Sequence, residues 1–412
     1  MKIVLVNYRY FISGGPERYY FNIKEILEDN GHEVIPFSVK SMRNIPNDYE
    51  RYFLDIVDDE VYFAKSKKSL KIIFKSFARM FYSFEAKKKF KHLLQNTKPD
   101  LVYIMQYHNK ISPSIIDAAK SFNVPVIHRI SDFQYMCPNA LFYNDVTGIC
   151  EECLNGSKWN CIKNKCVLNS IVYSTIKLAA KMLHDALRVT SNIDAFVVPS
   201  SFTLGKLVEY NISKDKLNHI PTFFNLKEQN PEVDYNPFVL FVGRIEKQKG
   251  VMTLVKTFEG TDYNLKIIGF SNDGYEDEIK AYLTGKSHRI EFLGKKSFEE
   301  IVPYLKRCLC TVVPSEWYDN FPNVILESFA YKKAVIATNF GSLPELVKDN
   351  RTGLTFSYQN VEDFRTKVKY MFDHVDKAKE MGENGFKAVL TSYSPQKHYE
   401  QLNYLFQNIK RK

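Results

Sequence analysis

Two cations, Arg244 and Lys249, share one short loop, Gly243–Gly250, directly after the apolar run Phe238–Val242. An arginine there can grip a phosphate with two parallel hydrogen bonds, and a lysine adds a point charge. Gly250 lets the backbone turn into a following helix, whose N-terminus favours anions. Read alone, the loop serves equally well as a solvated basic turn. Further on, a polar loop runs from Ser315 to Asn323 and opens an amphipathic helix. Asp319 stands near the helix start and Glu327 about two turns into it. Such carboxylates accept hydrogen bonds from sugar hydroxyls, although acids at helix starts also serve purely structural ends.

The first half of the chain offers a second set. Gly14 and Gly15 follow the apolar run Ile3–Asn7, where a Cβ would block close approach of the backbone to a ligand. His108 follows the run Leu101–Met105, and Ser131-Asp132 follows Val124–Ile130, with His128 nearby. A lone histidine is more often structural than functional. Five of the seven cysteines lie between Cys137 and Cys166. Cys150, Cys153, Cys161 and Cys166 have a spacing that permits a tetrahedral structural zinc site, with oxidised pairs or free thiols as the alternatives. No open set of histidines and acids accompanies them, so no catalytic metal is expected.

These residues need a frame that brings them together. The start reads as a strand, a glycine loop, a helix over Pro16–Asn30 stopped by Gly31, and a strand over Glu33–Val39, which is a βαβ opening. Apolar runs recur at 101–105, 124–130 and 195–199, giving one doubly wound domain over about residues 1–220 with a cysteine-rich insertion at 137–166. A linker with three prolines spans 221–237. A second α/β domain follows over 238–390, with strands at 238–242, 265–268, 290–293, 310–313 and 334–338. Residues 391–412 close the chain with a helix from Pro395, expected to pack back on the first domain. Ligands of open parallel sheets sit beyond the carboxyl ends of the strands, so the loops named above are the ones to watch.

The combination resembles the GT-B glycosyltransferases, in particular glycosyltransferase family 4, over nearly the whole chain. The Gly-Arg and Lys-Gly of the 243–250 loop, the two acids Asp319 and Glu327, the Gly14–Arg18 loop and the run Ala337–Leu346 carry the likeness. Asp319 stands where the family usually has Glu, and Ser131 stands where relatives often have His before Asp132. The resemblance implies two Rossmann-like domains facing across a cleft and a nucleotide-diphosphate sugar donor of UDP or GDP type. It implies that Arg244 and Lys249 neutralise the diphosphate, with backbone donors added around Asn320, Phe321, Pro322 and Asn323. It implies Glu327 on the ribose, Asp319 on the transferred sugar, and Gly14 and Gly15 close to the donor. Asp132 and His108 fall on the acceptor side, and Gly341 and Pro344 read as structural. Retention at the anomeric carbon, with a glycan or lipid-linked acceptor, is the implied reaction. A nucleotide-sugar epimerase or hydrolase, and a relative that binds nucleotide without transferring, remain alternatives.

The net charge of +10 bears on partners. Ten Lys and Arg against one acid fall between Lys65 and Lys91, so the remainder is near neutral, unlike a nucleic-acid binder. Read as one helix, that segment is strongly amphipathic: Lys67, Lys71, Lys75 and Arg79 recur every four residues as a basic flank, and Leu70, Phe74, Phe77, Phe81 and Phe84 form an apolar stripe. One reading buries the stripe in the first domain; the other lays it on an anionic membrane. The run Ile3–Val6 is too short for a signal-peptide core and no apolar run reaches eighteen residues, so the expectation is a cytoplasmic protein, at most at the inner face of the membrane.

Overall fold

Parallel strands covered by helices on both faces must be apolar throughout, and the continuous apolar runs of this chain become such strands. In the computed structural model, which describes residues 1–55 and 70–409, they form two six-stranded sheets. The first contains β1 (Lys2–Asn7), β2 (Glu33–Phe37), β3 (Leu101–Gln106) and β4 (Val126–Arg129). After a small hairpin of β5 (Tyr143–Asn144) and β6 (Gly148–Ile149) it is completed by β7 (Ala195–Val198) and β8 (Leu217–His219). The second contains β9 (Phe238–Val242), β10 (Asn264–Ile268), β11 (Ile290–Phe292), β12 (Cys310–Val313), β13 (Ala334–Thr338) and β14 (Gly353–Phe356). The orders are β2-β1-β3-β4-β7-β8 and β11-β10-β9-β12-β13-β14, with every pairing parallel. Each order reverses direction once, between β1 and β3 and between β9 and β12. At such a reversal the loops leave to opposite faces and open a crevice.

Side chains alternate across each sheet. Val4 and Val6 join one buried cluster, with Phe37, Phe90 and Ile104; Ile3 and Leu5 join another on the opposite face. The second cluster also takes in Leu402, Leu405 and Phe406 of the C-terminal helix Pro395–Asn408. That helix follows the second sheet in the chain yet packs on the first. Tyr19 Oη lies 2.9 Å from His398 Nε2, and His398 Nδ1 lies 2.7 Å from the Pro221 carbonyl.

The basic segment does not form one helix. Two helices, Leu70–Phe81 and Phe84–Thr97, are separated by Tyr82 and by Ser83, whose hydroxyl accepts the Ala86 N–H. Arg79 is buried, ion-paired with Glu85 at 3.6 Å and bonded to the Asp55 carbonyl, so it belongs to the interior and not to a basic flank. Lys67 lies outside the described residues, as do the side chains of Leu70, Lys71 and Phe74. No helix among the described residues is long and apolar enough to cross a membrane.

Candidate active site

The loops leaving β9 and β12 flank the crevice of the second sheet. Lys249 Nζ reaches Asp319 Oδ1 at 2.6 Å, and its ammonium lies 4.9 Å from the centre of the Trp317 ring. Asp319 is 6 % exposed; its second carboxylate oxygen accepts from Ser315 Oγ, and its carbonyl accepts from Ser342 Oγ. Arg244 is more open and pairs with Glu246 at 2.6 Å. Burial pushes the Glu246 carboxyl up, and the nearby Arg244 and Lys249 oppose that. Gly250 holds this loop against the next one. Its φ is +68°, and a Cβ there would lie 1.8 Å from the Pro314 carbonyl oxygen.

Beyond residue 220, the buried side-chain polar atoms without a partner are Asn272 Nδ2, Trp317 Nε1 and Thr338 Oγ1 among the described residues. They sit after β10, after β12 and at the end of β13, all at the carboxyl edge of the sheet. Buried polar groups are normally satisfied, so three orphans on one edge fit a site that a polar ligand completes. An open groove of about 430 Å³ lined by Phe238, Leu265 and Ile290 lies at the opposite edge, where parallel sheets do not build ligand sites.

The first domain closes on this edge. Arg18 donates to Glu327 Oε1 at 2.6 Å and lies over the Phe298 ring at 4.5 Å. Glu327 is 5 % exposed; burial raises its carboxyl and Arg18 counteracts the rise. Gly15 packs so tightly on Asn323 that a Cβ would lie 2.7 Å from its Nδ2. The adjoining loop is built on Glu17, which accepts from Arg9 at 3.1 Å and from Ser13 at 2.9 Å. Gly15 and Arg18 of the first domain therefore meet Asn323 and Glu327 of the second across one cleft. Sequence reading overlooked Arg18, although its place three residues after the glycine pair was a usable signal.

The expected phosphate donors around residues 320–323 are backbone groups, and the side chains there have other work. The Asn320 side chain is spent on the domain contact: it donates to the Ile130 carbonyl at 2.7 Å and accepts from Thr203 Oγ1 at 2.7 Å. Pro322 has no N–H to offer a phosphate, which leaves amides such as those of Phe321 and Asn323 at the start of the helix Asn323–Ala330, where no helix carbonyl can satisfy them.

Asn320 thereby joins the loop after β4 to the loop after β12. Ser131 Oγ accepts from Arg129 at 3.0 Å and lies 3.3 Å from the Met105 carbonyl, so it is an anchored hub and not a free base. Asp132 accepts the Gln134 N–H at 2.9 Å, and burial pushes its carboxyl up to about 6. His108 lies beside Lys177, and burial holds its imidazole well below the ordinary value. His128 is no substitute for the missing histidine. It is buried at the end of β4, bonded to Tyr135 at 2.8 Å and packed against Tyr107 and Phe196, and burial lowers it to about 3.

The expected zinc set is not assembled. Among the described residues no three His, Cys, Asp or Glu side chains are disposed to hold a metal ion, which corrects the reading of Cys150, Cys153, Cys161 and Cys166. The Cys153 thiol is spent on the Lys158 carbonyl at 3.8 Å, and burial pushes it up to about 12. The hydrogen bond between Cys161 and Cys166 raises the Cys166 thiol.

Comparison with known proteins agrees with this fold. The family model described as Glycosyltransferase Family 4 matches residues 13–228, and that of Glycosyl transferases group 1 matches residues 222–388. An uncharacterized glycosyltransferase of Methanocaldococcus jannaschii is 32 % identical over 67 % of this chain and 72 % of its own. The D-rhamnosyltransferase WbpZ of Pseudomonas aeruginosa is 30 % identical over 36 % of this chain and 39 % of its own. Sucrose-phosphate synthase from Thermosynechococcus elongatus has the same fold, with a TM-score of 0.70 at 18 % identity over 98 % of each chain. Anabaena HepE in complex with UDP superposes with a TM-score of 0.64 at 13 % identity over 99 % of this chain and 100 % of its own. With two Rossmann-like sheets in the GT-B arrangement and family matches that run almost end to end, this chain belongs to glycosyltransferase family 4.

Proposed function

We propose that the protein transfers a glycosyl group from a nucleoside-diphosphate sugar, of UDP or GDP type, to a saccharide or lipid-linked acceptor with retention at the anomeric carbon. The observation that carries this reading is the pair of buried carboxylates, Asp319 and Glu327, each holding a cation at the rim of the cleft. A diphosphate draws Lys249 and Arg244 to itself, with the first-turn amides of the helix Asn323–Ala330 beside them. That frees Asp319 for hydroxyls of the transferred sugar. Glu327 takes the ribose once Arg18 yields. Gly14 and Gly15 let the first domain approach the donor. UDP, bound by the fold relative HepE, is the first nucleotide to try.

In the proposed step an acceptor hydroxyl oxygen bonds to the anomeric carbon on the face that the diphosphate leaves. The bond from that carbon to the phosphate oxygen breaks, and the hydroxyl proton passes to the departing phosphate. Asp132 and His108 border the acceptor side of this reaction. Synthesis of surface polysaccharide is the setting we favour. Peripheral contact with an anionic membrane through residues 65–91 is retained as part of the proposal, supported by exposed Phe77 and Phe84 near the exposed Lys88.

The test is a thermal-shift screen with UDP, GDP, ADP and their sugar conjugates. One nucleotide class is expected to raise the melting temperature of the wild type, because a ligand of the folded state alone must do so. Arg244→Ala is expected to lose most of that shift while melting, unliganded, as the wild type does. No shift with any nucleotide would remove the donor site. Donor consumed as fast without acceptor as with it would instead favour a hydrolase.

A pH profile tests the acceptor side. With Asp132 at about 6, the group is protonated below that value and ionised above it. Ionised Asp132 can hold the acceptor hydroxyl by accepting its hydrogen bond before the proton passes to the phosphate, so transfer should rise between pH 5 and pH 7, about tenfold per unit at the acid end. The shift also sets a stability slope. A raised carboxyl stabilises the fold below its unfolded value, and that contribution is lost as the pH rises through about 6. Asp132→Asn should flatten both curves in this window; a variant that keeps the acid limb would assign it to another group.

A further inference from the structure

We infer that the acceptor carries an anionic group, a phosphate or a carboxylate, and that Lys177 is the residue that holds it. The inference rests on the proposed transferase reading and names the acceptor's chemistry.

Lys177 lies on the helix Ile171–Ala186, which brings it to the carboxyl ends of β3 and β4. It is half-buried, and its ammonium donates to Asn109 Oδ1 at 2.7 Å and to His108 Nε2 at 3.5 Å. Both acceptors are neutral, since His108 is held well below its ordinary value by burial and by Lys177 itself. No carboxylate stands within ion-pair distance of Lys177 among the described residues; Asp132 acts on it only from farther away. Lys181, one turn along the same helix, shows what a satisfied lysine looks like here: it pairs with Asp185 and bonds Tyr210 Oη. The chain thus completes one lysine of this helix and leaves the next with neutral partners.

A second cation repeats the pattern on the face of the sheet that carries Tyr19. Arg129, at the end of β4, binds Ser131 Oγ, Thr222 Oγ1 at 2.8 Å and the face of Tyr19 at 4.1 Å, again with no carboxylate. Asp132 acts on Lys177 from farther away, and burial pushes its carboxyl toward its neutral form. Withdrawing an ammonium from water onto neutral partners costs free energy that an anion at the same place recovers. An acceptor hydroxyl near Asp132 with a phosphate or carboxylate a few bonds away satisfies both groups. A purely structural Lys177 would do no more than tether the loop through Asn109.

The experiment uses the full chain, saturated with whichever nucleotide raises its melting temperature. It is titrated at constant ionic strength with methyl phosphate, methyl β-glucuronide and the neutral methyl β-glucoside. One of the two anions should bind, and which one tells phosphate from carboxylate. Lys177→Gln, which keeps the hydrogen bond to Asn109, should weaken that anion by about tenfold or more, and Lys177→Arg should retain it. Both variants should keep the nucleotide shift, which shows that they fold. Three results overturn the inference: neither anion binds the wild type, the glucoside binds as well as they do, or Lys177→Gln binds them unchanged. If no nucleotide shifts the wild type, the donor reading fails, and the same titration on unliganded protein still decides the role of Lys177.

Discussion

Replacing Lys249 by alanine should lower the turnover of glycosyl transfer by roughly a thousandfold, with a smaller loss of donor affinity. Two effects act together. The variant removes a cation from the place where charge grows on the leaving diphosphate, a contribution that appears mainly in the transition state. It also leaves Asp319, 6 % exposed, without the ammonium that sits 2.6 Å away. Ser315 still bonds the other carboxylate oxygen, so the fold should survive. Lys249→Arg restores the charge but not the compact shape over Trp317, and recovery should be partial. The check is steady-state kinetics with the donor found by thermal shift. A Lys249→Ala variant within threefold of the wild-type turnover would mean that the cation belongs to the loop and not to the reaction.

The second large effect is on stability. Gly250→Ala should destabilise the protein by about 3 kcal/mol, from a left-handed backbone that alanine resists and from overpacking. The Cβ would enter the Pro314 carbonyl at 1.8 Å, and backbone cannot step aside as a flexible side chain can. Gly15→Ala makes an instructive contrast. There the obstruction is the Asn323 amide, at 2.7 Å and at the end of a side chain, and the backbone is not left-handed. For a unit the size of the second domain, about 3 kcal/mol corresponds to roughly 6–12 °C of melting temperature. Thermal unfolding of the two variants measures both; a Gly250→Ala protein that melts with the wild type would refute the packing argument.

These two residues also show what kind of information the sequence holds. Lys249 and Gly250 were legible because strand, loop and helix start follow one another within a dozen residues. The second sheet was legible for a related reason: β9, β12 and β13 are unbroken apolar runs, as strands buried on both faces must be. The short β8, with no buried residue, left no such trace.

The residues that elude sequence reading are joined across long stretches of chain. Arg18 meets Glu327 309 residues away, and Asn320 meets the Ile130 carbonyl 190 residues away. Lys177 lies 69 residues from His108 on a helix that gives no local hint of where it will pack. The basic segment misled for the opposite reason. A four-residue rhythm of lysine and arginine is the same whether the helix is continuous or broken at Ser83, and it does not reveal that Arg79 turns inward to Glu85.

The C-terminal helix that returns to the first sheet means that the chain passes between the two halves of the molecule twice, once in each direction. The outgoing and returning stretches touch: the Phe224 N–H donates to the Tyr393 carbonyl at 3.0 Å, and His398 bonds the Pro221 carbonyl at 2.7 Å. Two covalent crossings laced side by side form a spine, as in a bound book. In the proposed reaction the covers would part along that spine to admit a donor and release a nucleotide, breaking contacts such as Arg18 to Glu327 as they do.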